Sequence, residues 1–239
     1  LAPDLYLDVV PVTGREEAPD LRPDAGPTVD WAVRMREFAQ EDRLDHRLEA
    51  GRLGPSHIDA LADRVAHFHQ ELADRAPPEG LGTPAAVLAA VRANFDTLGD
   101  LLEPSDQADK AAELEAWSEA AHARLAELLA ERRAEGWVRE GHGDMHLGNI
   151  ALVDGEITVF DAVEFNPGFR WIDVQSEIAF LVTDLDHRGH PGLGWRALNR
   201  YLEWTGDYAG LRLLDYYRVY RMMVRAKVTA IRLSQREEQ

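Results

Sequence analysis

The chain has 239 residues, 45% of them hydrophobic, enough for one large domain or two modest ones with a sizeable core. Forty-three acidic residues against 26 basic ones give a formal charge of −17, which repels nucleic-acid backbones and anionic membranes and favours a cationic small molecule as partner. No apolar run approaches the roughly 18 residues of a membrane span, and the absence of cysteine excludes disulfides and thiolate metal sites, which fits a cytoplasmic protein.

The first residue is Leu1 rather than methionine, and the chain is read as a piece of something longer. "LYLDVVPV" (5 to 12) and "TVDWAVRMREF" (28 to 38) are rich in β-branched and aromatic residues and predict two strands of a small sheet, separated by a Pro/Gly/Asp-rich stretch. From about residue 42 the pattern turns helical. "PSHIDALADRVAHFHQELADR" places Ile58, Leu61, Val65, Phe68 and Leu72 on one stripe. "TPAAVLAAVRANFDTLGDLLE" begins with Thr83 as N-cap and Pro84 at the first helical position. A third helix runs through Leu114, Trp117, Ala121, Leu125 and Leu128, with Gly136 supplying a left-handed end, and a fourth covers "LRLLDYYRVYRMMVRAKVTAIRLSQ". No internal repeat is present, and the fold class is α+β, a small sheet followed by a mainly helical body with an embedded hairpin.

That hairpin is "NIALV-DG-EITVFD", two alternating apolar runs around Asp154-Gly155, a pair that tolerates the positive φ both central residues need. If Val153 pairs with Glu156, Asn149 lies opposite Phe160, and Asn149 and Asp161 become diagonal neighbours at the open end. Strict alternation puts those two side chains on opposite faces, so their convergence requires the strands to flare there. Asp144, in "HGDMHLGN" (142 to 149), is delivered to the same end, and three oxygen-bearing side chains suit a hard cation such as Mg²⁺. Two alternatives stand beside this: a polar turn capped by side-chain bonds to backbone, and a zinc site using His142, Asp144 and His146.

"HGDMHLGN" resembles the HGD-x-H-x-x-N catalytic loop of the aminoglycoside phosphotransferase and choline kinase-like family, relatives of the protein kinases, and "VFDAVEFN" is similar to its metal-binding aspartate segment. "FRWIDVQSEIAFLVTDLDHRGHP" and "YLEWTGDYAGLRLLDYYRVYRMMVRAKV" resemble a subgroup often fused to a C-terminal P-loop ATP-binding domain. The resemblance implies a protein kinase-like fold, with residues 1–40 as the remnant of an N-terminal β lobe and its hinge strand, and 41–239 as the helical C-terminal lobe. It implies ATP and Mg²⁺ as cofactors and a small-molecule hydroxyl as acceptor. Asp144 would be the catalytic base and His142 would support the loop from behind. Asn149 and Asp161 would hold the metal, with Asp173 and His146 in supporting positions. Adenine would meet the hinge at Met35, Glu37 and Phe38. The departure from the pattern is the N-terminal lysine that holds the phosphates, since the only lysines are Lys110 and Lys227. A non-catalytic nucleotide-binding module of a larger protein is therefore the alternative.

Other residues carry milder expectations. His67 and His69 lie on or beside an apolar stripe and should be buried and hydrogen-bonded, and "DLDHRGH" (184 to 190) should be a polar loop. Arg218, Arg221, Arg225 and Arg232 share a helical side and should form ion pairs, and Glu164 and Glu177 could face a cationic ligand or solvent.

Overall fold

The computed structural model describes residues 2–22, 24–103 and 105–237. Strands β1 (Tyr6–Arg15) and β3 (Thr28–Met35) pair antiparallel with Val9 opposite Val33, as the two apolar runs predict. A third strand, β2 (Ala18–Asp20), pairs with the other edge of β1, inside the stretch expected to be loop. Three residues are too few to show a period of two, and the turn depends on Gly14 at φ +103°, where a Cβ would stand 2.8 Å from the Ala18 carbonyl oxygen. One face of the sheet leaves Leu7, Val9, Trp31 and Val33 more than half exposed.

The chain then enters the helical body through α1 (Leu44–Glu49) and α2 (Pro55–Glu71). The expected stripe of α2, from Ile58 to Leu72, is buried throughout. Thr83 caps α3 (Pro84–Leu101) by accepting the Ala86 N–H at 3.1 Å. Helix α4 (Asp106–Ala134) buries Ala121 and Leu128 but leaves Leu114 and Trp117 partly exposed, and Gly136 closes it at φ +83°. Short strands β4 (Val138–Glu140) and β7 (Trp171–Asp173) pair with each other and bracket the hairpin of β5 (Ile150–Val153) and β6 (Glu156–Val159). Helices α5 (Val174–His187), α6 (Pro191–Thr205) and α7 (Leu214–Glu237) complete the body.

Three of these helices were not expected from the sequence. Helix α1 is under two turns. Helix α5 is buried on nearly every side, from Val174 to Leu185, so the one-sided periodicity that reveals a surface helix is absent and its apolar run reads as strand. Helix α6 opens on "PGLG", where two glycines weaken the signal. Helix α5 is the axis of the molecule, packing against both α6 and α7, and its polar residues are the ones that organise the site.

Candidate active site

The hairpin forms in the predicted register, with Val153 opposite Glu156 and Ile150 opposite Val159. Asp154 and Gly155 sit at φ 52° and 87°, the two positive values that a two-residue turn with the sheet's own twist demands. The ladder's end settles the difficulty that strict alternation raised. Phe160 N–H still donates to Asn149 C=O at 3.0 Å, but Asp161 adopts φ 61°, leaves the extended conformation and turns out of the strand. Its backbone N–H donates to the Tyr6 hydroxyl at 2.7 Å, and its carboxylate has no partner among the described residues.

Asp144, His146, Asn149 and Asp161 consequently line one cleft of about 560 Å³, with Phe38 and Phe160 stacked edge to face at 5.2 Å along its wall. Asn149 Nδ2 donates to the Asp144 backbone oxygen at 3.0 Å and to Asp144 Oδ2 at 3.1 Å. With the amide so oriented, its Oδ1 is left available, and Asn149 Oδ1 and the Asp161 carboxylate, both on the cleft lining, are hard-oxygen donors of the kind that Mg²⁺ takes. Burial pushes the Asp144 carboxyl up, but contact with His146 and the charges of His146, Arg221 and His142 outweigh it and hold it below the usual carboxylate range. His146 Nε2 lies 3.5 Å from Asp144 Oδ2 while its Nδ1 accepts the Gly148 N–H.

His142 is fully buried, and both ring nitrogens serve the backbone. Nε2 donates to Phe160 C=O at 2.7 Å and Nδ1 accepts the Asp144 N–H at 3.2 Å. These are the contacts of a strut that joins the loop to β6, and they leave no nitrogen for zinc. Among the described residues no three His, Asp or Glu side chains cluster as a metal site.

Asp173, which the resemblance puts in a supporting position, makes its bonds away from the loop. Its carboxylate is taken by Arg132, at 2.7 and 2.9 Å, and by the Gln175 N–H, and Arg132 is held equally by Asp207. Burial pulls the Arg132 guanidinium down, but its bonds to the two carboxylates outweigh this and keep it charged. This cluster fixes the start of α5 to α4, one step removed from the cleft.

The loop itself is held by residues that the sequence did not single out for that task. Glu177, far from facing a ligand or solvent, is 1% exposed and accepts the Gly143 N–H at 2.6 Å and His69 Nε2 at 2.8 Å, with His69 Nδ1 bonded to the Tyr201 hydroxyl. Burial pushes Glu177 up, but the bond and charge of His69, the charge of His142 and the Gly143 N–H hold it below the ordinary range. The carboxylate leaves no room for a side chain at Gly141, whose Cβ would lie 2.6 Å from Glu177 Oε2. Asp184, expected in a polar loop, is buried in α5 and accepts the Leu147 N–H at 2.9 Å, and Arg221 of α7 donates to Gly143 C=O at 2.7 Å. The available signal was a carboxylate inside an apolar run, "SEIAFLVTDL", because buried charges persist only when partnered. Of the histidine pair, both are hydrogen-bonded as expected, but only His69 is buried, whereas His67 is exposed and packs at a tilt against Trp204.

At the hinge only Phe38 lines the cleft. Met35 ends β3 and Glu37 lies just beyond it, both exposed and outside the cleft lining, so of the three residues expected to meet adenine only Phe38 lines the cleft. Neither Lys110 nor Lys227 lines the cleft, Lys227 instead bonding Asn94 Oδ1 between α7 and α3.

No family model matches the chain. Uncharacterized proteins of Mycobacterium tuberculosis and Mycobacterium bovis are 33% identical to it over 206 residues, 85% of this chain and 41% of each relative. The chain thus spans less than half the length of the curated relatives it matches. Two crystal forms of glucosamine kinase align with TM-scores of 0.59 and 0.51 at 20% and 21% identity, covering 89% and 78% of this chain and 59% and 52% of that one. The chain shares its fold with glucosamine kinase. None of the described helices is long and apolar enough to cross a membrane.

Proposed function

We propose that the chain is the helical lobe of a protein kinase-like phosphotransferase that passes the terminal phosphoryl group of ATP, with Mg²⁺, to a small-molecule hydroxyl. The observation that carries this reading is the meeting of Asp144, Asn149 and Asp161 at the open end of the β5–β6 hairpin, in one cleft. Phosphoryl transfer asks little covalent chemistry of the protein, mainly positioning and charge stabilisation. Asp144, kept ionised, orients the acceptor hydroxyl and takes its proton. Asn149 and Asp161 would hold Mg²⁺, which when bound neutralises charge on the nucleotide phosphates. Phe38, against Phe160, offers an apolar wall for the base, while Met35 and Glu37 lie outside the cleft lining. His142 and Glu177 keep the loop in place. The fold neighbours bear the name of a sugar kinase, which agrees with a small-molecule acceptor in the aminoglycoside phosphotransferase-like manner, and a cytoplasmic setting belongs to the same reading. Because the relatives are longer, a P-loop ATP-binding domain elsewhere in the full-length protein is part of this proposal.

One observation favours a second reading, a nucleotide-sensing module without turnover: neither lysine reaches the cleft. Product formation from ATP by the full-length protein, across a panel of sugars and amino alcohols, separates the two. Magnesium-dependent transfer that falls in Asp144→Asn supports the enzyme; Mg-nucleotide binding with no transfer to any alcohol supports the sensor.

A further inference from the structure

The chain's charge of −17 points to a cationic ligand, yet the wall of the cleft formed by the start of α1, the end of α5 and α7 is basic. Arg43, Arg188, Arg225 and Arg232 all line it. Their partners fall short of their number. Arg43 is forked on Asp45 at 3.2 and 2.7 Å. Arg188 and Arg225 converge on the same oxygen, Asp184 Oδ1, while Asp184 Oδ2 is spent on the Leu147 N–H. Arg188 also reaches Glu49 at 3.4 Å, but that carboxylate is 67% exposed and held weakly. Arg232 has no hydrogen bond or ion pair among the described residues. Three guanidiniums thus share three carboxylates, one of them largely in water, and the fourth, Arg232, faces the cleft without a partner among the described residues.

The placement is regular. Arg225 lies one helical turn beyond Arg221, and Arg232 three turns beyond it, so all three share a face of α7. Arg221 is consumed by Gly143 C=O and Ser176, directly behind Asp144. Arg225 is fixed by Asp184. Arg232 alone is left with its planar fork of donors unspent, the arrangement suited to a carboxylate or phosphate.

Resting on the phosphotransferase reading, we propose that the phosphoryl acceptor carries a negatively charged group, carboxylate or phosphate, that Arg232 binds, with Arg225 beside it, while Asp144 takes the acceptor's hydroxyl. The other possible source of the anion, the nucleotide's own phosphates, is an outcome of the test.

The test is calorimetric binding to the full-length protein saturated with Mg²⁺ and a non-hydrolysable ATP analogue, using matched probes: glucose, glucosamine and glucuronate, glycerol and glycerate, and inorganic phosphate. The acidic member of each set is expected to bind at least about 10-fold more tightly than its neutral or amino counterpart. Arg232→Ala is expected to weaken the acid about 10- to 100-fold and erase the preference, with Arg232→Lys in between because the charge stays and the fork goes. The nucleotide's affinity should be the same in all three proteins. Arg232 is exposed and partnerless, so these variants keep the fold. Equal or better binding of the neutral or amino member, no binding of any probe, or a loss in Arg232→Ala that falls on the nucleotide instead, each overturns the inference while leaving the phosphotransferase reading standing. Absence of Mg-nucleotide binding in the parent protein brings down that reading, and this one with it.

Discussion

The loop at 141–149 and the three-stranded sheet at 6–35 are both tied to the β5–β6 hairpin, one from inside and one from outside. His142, Glu177, Asp184 and Arg221 hold the loop through short hydrogen bonds made out of contact with water. The sheet is held by the Tyr6 hydroxyl and by Arg36, forked at 2.7 and 3.0 Å on the exposed carboxylate of Asp154. The first set gains from the low dielectric and leaves an uncompensated polar group if one partner is lost, whereas the second is screened by solvent. Rigidity is therefore invested in the loop that carries Asp144, and the three-stranded sheet is attached lightly.

The largest expected effect is at Asp144, the base in the proposed reaction. Asp144→Asn should lower phosphoryl transfer by roughly 10²–10⁴ with the melting curve unchanged, as steady-state rates and thermal denaturation would show. Unaltered activity would end the assignment of Asp144 as base. Next comes its anchor: Glu177→Ala strips a buried carboxylate from His69 and the Gly143 N–H, and urea titration should read a loss of about 3–5 kcal/mol. A loss as small as that of a surface substitution would show that the loop is held by other means.

A pH series sharpens the same contrast. Since the folded pKa of Glu177 is depressed, its contribution to stability is present above the unfolded value of an ordinary glutamate and is lost as pH falls through the folded value. Melting temperature should thus decline on acidification below the ordinary glutamate range, and Glu177→Gln should flatten that decline. The smallest effect is expected outside: Arg36→Ala breaks the fork to Asp154, both ends of which are in water, and should leave the melting temperature within error. A large drop there would mean that the two regions are not held so differently after all.

What could be read from the sequence follows the same division. The hairpin, its register, the Thr83 cap and the stripe of α2 are local patterns, in which a turn pair or a spacing of three and four dictates structure within a few residues. The roles of Glu177 and Asp184 are not local. They depend on α5 being buried all round, which erases the periodicity that would have announced it as a helix, and on partners 34 and 37 residues away. The bonds of Asp173 are likewise not local, since its carboxylate is taken by Arg132 of α4, 41 residues away. The convergence of Asn149 and Asp161 required the chain to leave the strand at Asp161, and a left-handed aspartate cannot be foreseen from an alternating pattern.

The most direct test lies at that residue. Asp161→Asn keeps a side chain that tolerates φ 61° and removes the charge. In the full-length protein, titration of ATP with and without Mg²⁺ should show magnesium-dependent binding that the substitution abolishes. Binding that is indifferent to Mg²⁺, or equal in parent and variant, would contradict the proposal that Asn149 and Asp161 hold the ion beside Asp144.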